Sequence, residues 1–467
     1  MKYKKRYIII FMLLLFQFFV SFKFGYCLTI KEEEEMGEEF LKHIKKSVTF
    51  IENPLILNYI KKVGDKISSN IDSKPFDFNF YIIKNSGYNA FAAPGGHIFL
   101  NSGLFEAMDT EEELAGILSH EIAHVTCRHI SQRLIKQTKI QLATLAGLAA
   151  GILLGSTGDS EAAAAIMQGT AAAGASAALA YSREDERQAD QIGLKYLENS
   201  GYTSGGLISS LKKIREKQWF TPDKVPTYLM THPGIDERII YLSSAIKDTK
   251  PVSDIKNNDF EMANIGIKAI YGNKTQAEKE ISIKLQKNPN SPAANYGYAI
   301  ILERSGKKKD AAAYFKKALA QKPFDPYILK KYGILLFDMG SYREADKIIE
   351  NVNSIIPEDP DGLFYMGRLK LILNNAEQGI DILKKLTGKH PEYKQAHYYL
   401  AKGYTEIGNI ADSHYNLGIH SKNQKNKKNA EFHFKKALEA EKDTDKKKNI
   451  EKMIESLNPP PTMIIRP

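Results

Sequence analysis

The 467-residue sequence predicts an α+β domain, mostly helical with a small antiparallel sheet, followed by an all-α repeat solenoid. Three observations carry that reading. Phe76, Phe78, Phe80 and Ile82 alternate with other residues at the period of a half-buried strand. Helical spacing with cap signals flanks that region on both sides. From about residue 258, prolines recur at Pro289, Pro323, Pro357 and Pro391, 34 residues apart each time, which is the length of a stacked helix pair.

The chain opens with a basic run from Lys2 to Arg6, then an apolar stretch from Tyr7 to Phe22. That order reads as a signal peptide over residues 1–27, with Gly25 and Cys27 at −3 and −1 of a cleavage site before Leu28. An uncleaved anchor is the alternative. An acidic helix is expected over Ile30–Phe40 and a second over Pro54–Ile71. Tyr88–Ala93 is extended, Pro94-Gly95-Gly96 turns the chain, and His97–Asn101 returns as a strand. Thr110 and Glu113 have the spacing of a capping box and open a long helix.

Residues 140–158 and 162–182 hold no charged side chain and are rich in Ala and Gly. They read as a close-packed helical hairpin that could touch a membrane surface; a pair of membrane spans is the competing reading. A charged amphipathic helix follows over Ser182–Gly201, a helical stretch over Gly205–Trp219, a loop with Pro222 and Pro226, and then Thr231-His232-Pro233. The first domain is expected to span 28–250, with the repeats over 258–455 and a Pro-rich tail over 456–467.

Each repeat proline ends a helix. Ten residues beyond each lies a small residue: Ala299, Gly333, Gly367 and Ala401. Ala277, Ala311, Ala345 and Gly379 keep the same period. The pattern resembles the tetratricopeptide repeat, in which small residues let paired helices approach closely. It then slips, and Leu417-Gly418, Ala430, Phe434 and Ala437 fit a further, irregular pair.

Composition is that of ordinary globular material, 43% hydrophobic and 26% charged. Of the +10 net charge, the five cations in residues 1–27 leave +5 for the remainder, 10 − 5. Lysine-rich stretches such as Lys422–Lys428 are solvated surface, so no nucleic-acid partner is expected. Cys27 and Cys127 are the only cysteines; once Cys27 is cleaved away, no internal disulfide remains.

The chemistry-bearing motif is His120-Glu121-Ile122-Ala123-His124, or H-E-x-x-H. Residues four apart on a helix lie one above the other, so both imidazoles can face one metal ion with Glu121 placed as general base. A catalytic zinc site needs a third protein ligand and an open position. The extended pattern with Gly and His further along is excluded, because Cys127 and Ile130 stand there. His129 is out of register and reads as a supporting or surface residue. Glu186, in Ser182-Arg183-Glu184-Asp185-Glu186, is the better third ligand, with Glu184 and Asp185 as competing acids. Asp190, one turn on, is placed to accept the other N–H of a ligating histidine.

H-E-x-x-H followed by S-R-x-x-E-x-x-A-D resembles the HtpX and CAAX-prenyl-protease superfamily of zinc metallopeptidases, which has a zincin-like fold. Asn89-Ala90-Phe91-Ala92-Ala93-Pro94-Gly95-Gly96 and Thr231-His232-Pro233 match further segments of that superfamily. With an export signal and repeats, the chain is similar to its periplasmic BepA-like subgroup. The resemblance implies one Zn2+ held by His120, His124 and Glu186, with Glu121 as base and Asp190 orienting a ligand. It also implies that His232 approaches the metal, either occupying the fourth site or stabilising the oxyanion. Residues Asn89, Ala90, Phe91, Ala92 and Ala93 are the expected substrate edge, binding unfolded chains by strand addition. The implied role is proteolysis in outer-membrane protein assembly and quality control, in the periplasm or at the outer-membrane surface, with the repeats docking the assembly machinery or clients. A non-catalytic chaperone or scaffold is the alternative. One departure is that the repeat region here has no cysteines to pair.

Overall fold

The computed structural model describes residues 28–136, 181–220, 227–245 and 258–457. The signal segment, nearly all of the 140–182 hairpin, the loop carrying Pro222 and Pro226, and the end of the tail lie outside the described residues. Contacts divide the chain into two units after Gly272. The first contains the sheet and the H-E-x-x-H helix.

Helix α1 (Ile30–Ser47) opens on Thr29, whose hydroxyl accepts from the Glu32 amide while the Glu32 carboxylate accepts from the Thr29 amide. Helix α2 (Pro54–Ser68) is capped by Asn53. Strand β1 (Asn79–Ile83) precedes β2 (Ala90–Ala93) and β3 (His97–Asn101), and the sheet order is β1-β3-β2. Strands β2 and β3 pair antiparallel, whereas β1–β3 is parallel, with Asn79 opposite His97, so the sheet is mixed where the sequence reading expected an antiparallel one. The reason is the path of the chain. After β1 it runs to the far edge and lays down β2, and the 94–96 turn then returns it into the middle. Gly95 and Gly96 make that turn at φ 71° and 84°, and a Cβ on Gly96 would sit 2.2 Å from the Asp77 carbonyl oxygen. Central β3 is buried along its whole length, as a strand covered on both faces should be. Phe99 is packed among Phe40, Phe50, Tyr81 and Phe91.

Short α3 (Ser102–Ala107) leads to α4 (Glu111–Thr126). Thr110 caps α4 by accepting from the Glu113 amide, but the Glu113 carboxylate turns instead to the Asp109 amide and Lys213, so the box is half made. Helix α5 (His129–Lys136) follows after a break, then α6 (Arg183–Asn199), α7 (Gly205–Phe220), α8 (Thr227–Thr231) and α9 (Ile235–Ala245). Helix α10 (Asn258–Tyr271) packs on the first unit: the Asn264 amide donates to the carbonyls of Phe105 and Met108. The sequence reading had started the repeats at 258; the contacts place this helix with the preceding domain.

The second unit is helical throughout its described residues: α11 (Lys274–Lys287), α12 (Pro292–Arg304), α13 (Lys308–Gln321), α14 (Pro326–Asp338), α15 (Tyr342–Ile355), α16 (Pro360–Ile372), α17 (Ala376–Lys389), α18 (Ala396–Glu406), α19 (Ile410–Asn423), α20 (Lys427–Ala440) and α21 (Thr444–Leu457). The small residues do what their period predicts. A Cβ on Gly333 would come 2.6 Å from Ile349, and one on Gly367 would come 2.6 Å from Leu383. The slip also has a physical form. Gly418 lies against the Phe434 ring, where a Cβ would meet it at 2.5 Å. Helix α19 therefore plays the first-helix part against α20, and α18 stands as an additional helix before it. Among the described residues, no helix is long and apolar enough to cross a membrane.

Candidate metal centre

The site is built where α4 and α6 cross. Helix α4 is buried on every side from Glu113 to Val125, so its motif residues are held by packing, not by a solvent-facing helix. Gly193 of α6 lies against α4: a Cβ there would be 3.1 Å from the Ser119 carbonyl oxygen and 3.2 Å from His120 Cα. That approach brings two α6 carboxylates, Glu186 and Asp190, onto His120. On the other side, Gly116 of α4 abuts Leu207 and Gly206 at the start of α7.

His120 and His124 turn their Nε2 atoms toward each other at 3.0 Å. Glu186 places Oε2 3.5 Å from His120 Nε2 and Oε1 3.4 Å from His124 Nε2. His232 adds Nδ1, 3.0 Å from Glu186 Oε1 and 3.4 Å from His120 Nε2. One donor atom from each of these four buried residues lies within 4.8 Å of the others. Zinc–nitrogen and zinc–oxygen distances of about 2.0–2.2 Å in tetrahedral geometry put neighbouring ligand atoms roughly 3.3–3.5 Å apart. The two histidines and the carboxylate therefore fit one small divalent cation in spacing and in chemistry.

The surroundings complete that fit. Asp190 Oδ1 lies 2.9 Å from His120 Nδ1 and so takes the ring proton away from the Nε2 side. Arg238 of α9, itself buried, donates Nε and Nη2 to the two Asp190 oxygens at 2.8 and 2.7 Å and places Nη1 2.5 Å from Glu186 Oε2. Tyr241 also donates to Asp190. Burial opposes charge on both carboxylates, but Arg238 together with the neighbouring histidines outweighs it and holds Asp190 below and Glu186 well below the usual carboxylate range. Burial and Arg238 pull His120 down, while Asp190 and Glu186 more than reverse this and hold it at about 9. Burial, followed by the charge of His120, pushes His124 well below the usual imidazole range. Burial raises the Glu121 carboxyl, whose two oxygens are enclosed and accept no hydrogen bond; His232 Nε2 is 3.6 Å from one of them.

His232 Nε2 donates to the Ala90 carbonyl at 3.2 Å, so His232 spans from the donor group to the sheet edge. Strand β2 is that edge, as the order of the sheet requires. Ala90, Ala92 and Ala93 are buried and Phe91 is half-buried. Buried Asn89 accepts from the Thr231 hydroxyl, and its carbonyl accepts from the Asn101 amide. Tyr228 stacks on His232 at 4.3 Å between centroids, and Tyr181 stacks on His124 at 3.7 Å.

Of the competing acids, Asp185 is used as the N-cap partner of Ser182, and the exposed Glu184 is not among the grouped donors. Cys127 is a half-buried C-cap residue outside the donor group. Sequence reasoning missed Arg238, Tyr181 and Tyr228. Of the two readings of His129, supporting or surface, the surface one is not met: the ring is buried beside His124. Nothing in the charged first turn of α9 distinguishes Arg238 from its acidic neighbours.

Residues 54–246 match peptidase family M48, and residues 272–326 match the tetratricopeptide repeat. A relative from Yersinia pestis named beta-barrel assembly-enhancing protease is 28% identical over 372 residues, covering 79% of this chain and 76% of that protein. The protein of the same name from Escherichia coli (strain K12) is 28% identical, covering 71% of this chain and 68% of its own length. Metalloprotease YcaL of Escherichia coli (strain K12) is 26% identical over 196 residues, covering 41% of this chain and 70% of that protein.

Proposed function

From the premise that this chain is a metallopeptidase of family M48 with tetratricopeptide repeats, similar to the beta-barrel assembly-enhancing proteases, we propose that it is an exported zinc endopeptidase. Its substrates are misfolded or stalled envelope proteins. Its repeats dock clients or the outer-membrane assembly machinery. The location is the periplasm, at or near the outer-membrane surface, after removal of residues 1–27. The observation that carries this reading is the convergence of His120, His124 and Glu186 from two helices, with the Glu121 carboxylate, which accepts no hydrogen bond, beside them.

In this reading His120, His124 and Glu186 would hold the zinc ion. Zinc bound there would supply Lewis acidity toward a scissile carbonyl and a water molecule. Glu121 takes a proton from the attacking water and passes it to the leaving amine; burial raises its proton affinity, which suits the ionised carboxylate to accept that proton and hold it between the two transfers. Asp190 fixes the proton of His120 on Nδ1. Extended substrate pairs with the β2 edge over Asn89–Ala93 through backbone hydrogen bonds. The contacts of His232 with the Ala90 carbonyl and Glu186 support reading it as the residue that holds the site in a closed resting form. Productive binding requires this residue to withdraw from the edge.

The test uses zinc-loaded full chain and an unfolded outer-membrane barrel protein. Glu121→Gln should keep its zinc and lose cleavage, and His232→Ala should cleave faster than wild type. Equal cleavage by wild type and Glu121→Gln would refute the enzyme reading and favour a chaperone or scaffold.

A further inference from the structure

His124 has a second neighbour that the proposed mechanism does not use. Its Nδ1 lies 2.9 Å from His129 Nδ1, and His129 Nε2 lies 2.9 Å from Gln188 Oε1. Both rings are buried. Along an unbroken helix, residues five apart point to different faces. The contact exists because α4 stops at Thr126 and the chain turns sharply before α5 begins at His129. Arg128 makes the turn in the left-handed region, at φ 56°, which is unfavourable for a side-chain-bearing residue. It is held there by its own side chain, which donates to buried Glu33 at 2.8 Å and to the Leu28 carbonyl at 2.6 Å. The turn brings the His129 ring back beneath His124.

We propose that His129 and Gln188 are positioning residues that fix the tautomer and orientation of His124 for metal binding, as Asp190 does for His120. This rests on the zinc reading above. The direction of the chain follows from proton counting. His124 can offer a lone pair at Nε2 only if its proton is on Nδ1. That N–H then needs an acceptor, and His129 Nδ1 accepts when the His129 proton is on Nε2, where it donates to Gln188 Oε1. The opposite direction would put a proton on His124 Nε2, 3.0 Å from His120 Nε2 and among the grouped donor atoms. Asp185 Oδ1, 4.0 Å from His129 Nε2, is beyond hydrogen-bond reach, so the amide oxygen of Gln188 is the acceptor. Gln188 and Glu186 share α6. The carboxylate ligand and the anchor of the imidazole ligand are therefore carried by one helix.

The test is zinc affinity of the full chain, measured by competition with a chromophoric chelator. The visible spectrum of the cobalt-substituted protein gives a readout of ligand geometry that does not depend on turnover. His129→Ala should bind zinc about 10–100-fold more weakly, the usual cost of losing a group that orients a ligand, and should shift the cobalt bands. His129→Asn, whose side-chain oxygen can replace Nδ1 as acceptor, should recover most of the affinity. Gln188→Met should weaken binding without disturbing the core turn, which keeps the test open should His129→Ala fail to fold. Wild-type affinity in both His129→Ala and Gln188→Met would overturn the proposal, as would equal weakening by His129→Ala and His129→Asn, which marks a packing role. A wild-type chain that binds no zinc would remove the zinc reading itself, an outcome distinct from either of these.

Discussion

Arg238→Met is the perturbation whose consequence the structure specifies most fully. The guanidinium is buried and makes three short contacts with two buried carboxylates, two to Asp190 and one to Glu186. Methionine keeps much of the stem volume and removes the charge. Deleting one partner of a buried ion pair costs about 3–5 kcal/mol, because the other charge is left uncompensated. For a unit of this size, about 2–4 °C of melting temperature goes with each kcal/mol, so the first unit should melt about 6–20 °C lower. Hydrogen exchange in α4 and α6 follows the relevant transition. The sign of the pH dependence is also set. In the wild type both carboxyls are depressed, burial being outweighed by Arg238 and the neighbouring histidines together. Their stabilisation is complete above the ordinary carboxyl range near 4 and is lost as pH falls below it. Without Arg238 the largest of the opposing charges is gone and the carboxyls rise from their depressed values, so less of this stabilisation remains above pH 4 in the variant. The gap between the two proteins should be widest near pH 7.5 and narrow toward pH 4.5. Zinc should restore part of it by neutralising Glu186. A melting temperature unchanged at pH 7.5, or a gap that ignores pH, would refute this electrostatic account.

Gly193→Ala should displace α6 from α4 by a few tenths of an ångström, lower stability by about 1–3 kcal/mol, and weaken zinc binding; chemical denaturation and chelator competition measure both. In the repeat unit, burial lowers His397, His414 and His433 below the ordinary imidazole range near 6.5. Their neutral-form stabilisation is complete above that range and is lost as pH falls through the lowered values, so the repeat unit should melt at a lower temperature at pH 5.5 than at 7.5 by circular dichroism. Gly418→Val should drive a side chain into the Phe434 ring and destabilise the last helices by about 1–3 kcal/mol, read by hydrogen exchange in α19 and α20.

What the sequence made legible was whatever repeats at a fixed helical or repeat period. His120, Glu121 and His124 share one helix face; Glu186 and Asp190 share another, four residues apart. The 34-residue spacing of the prolines marked the helix pairs, and the alternation before residue 83 marked β1. What escaped depends on how separate elements meet. Arg238 looks like any charged residue of an amphipathic helix until α9 lies against α6. His129 is out of phase with His124 only as long as the helix is unbroken, and the left-handed Arg128 that breaks it carries no proline or glycine signal. The parallel β1–β3 pairing depends on which side of the first strand the turn returns to, and side-chain alternation says nothing about that.

The most direct measurement is metal content per chain in purified wild type, His120→Ala and Glu186→Ala. The account predicts one zinc in the wild type and loss of most of it in each variant, because either substitution removes one of three ligands. Full zinc in both variants would contradict it.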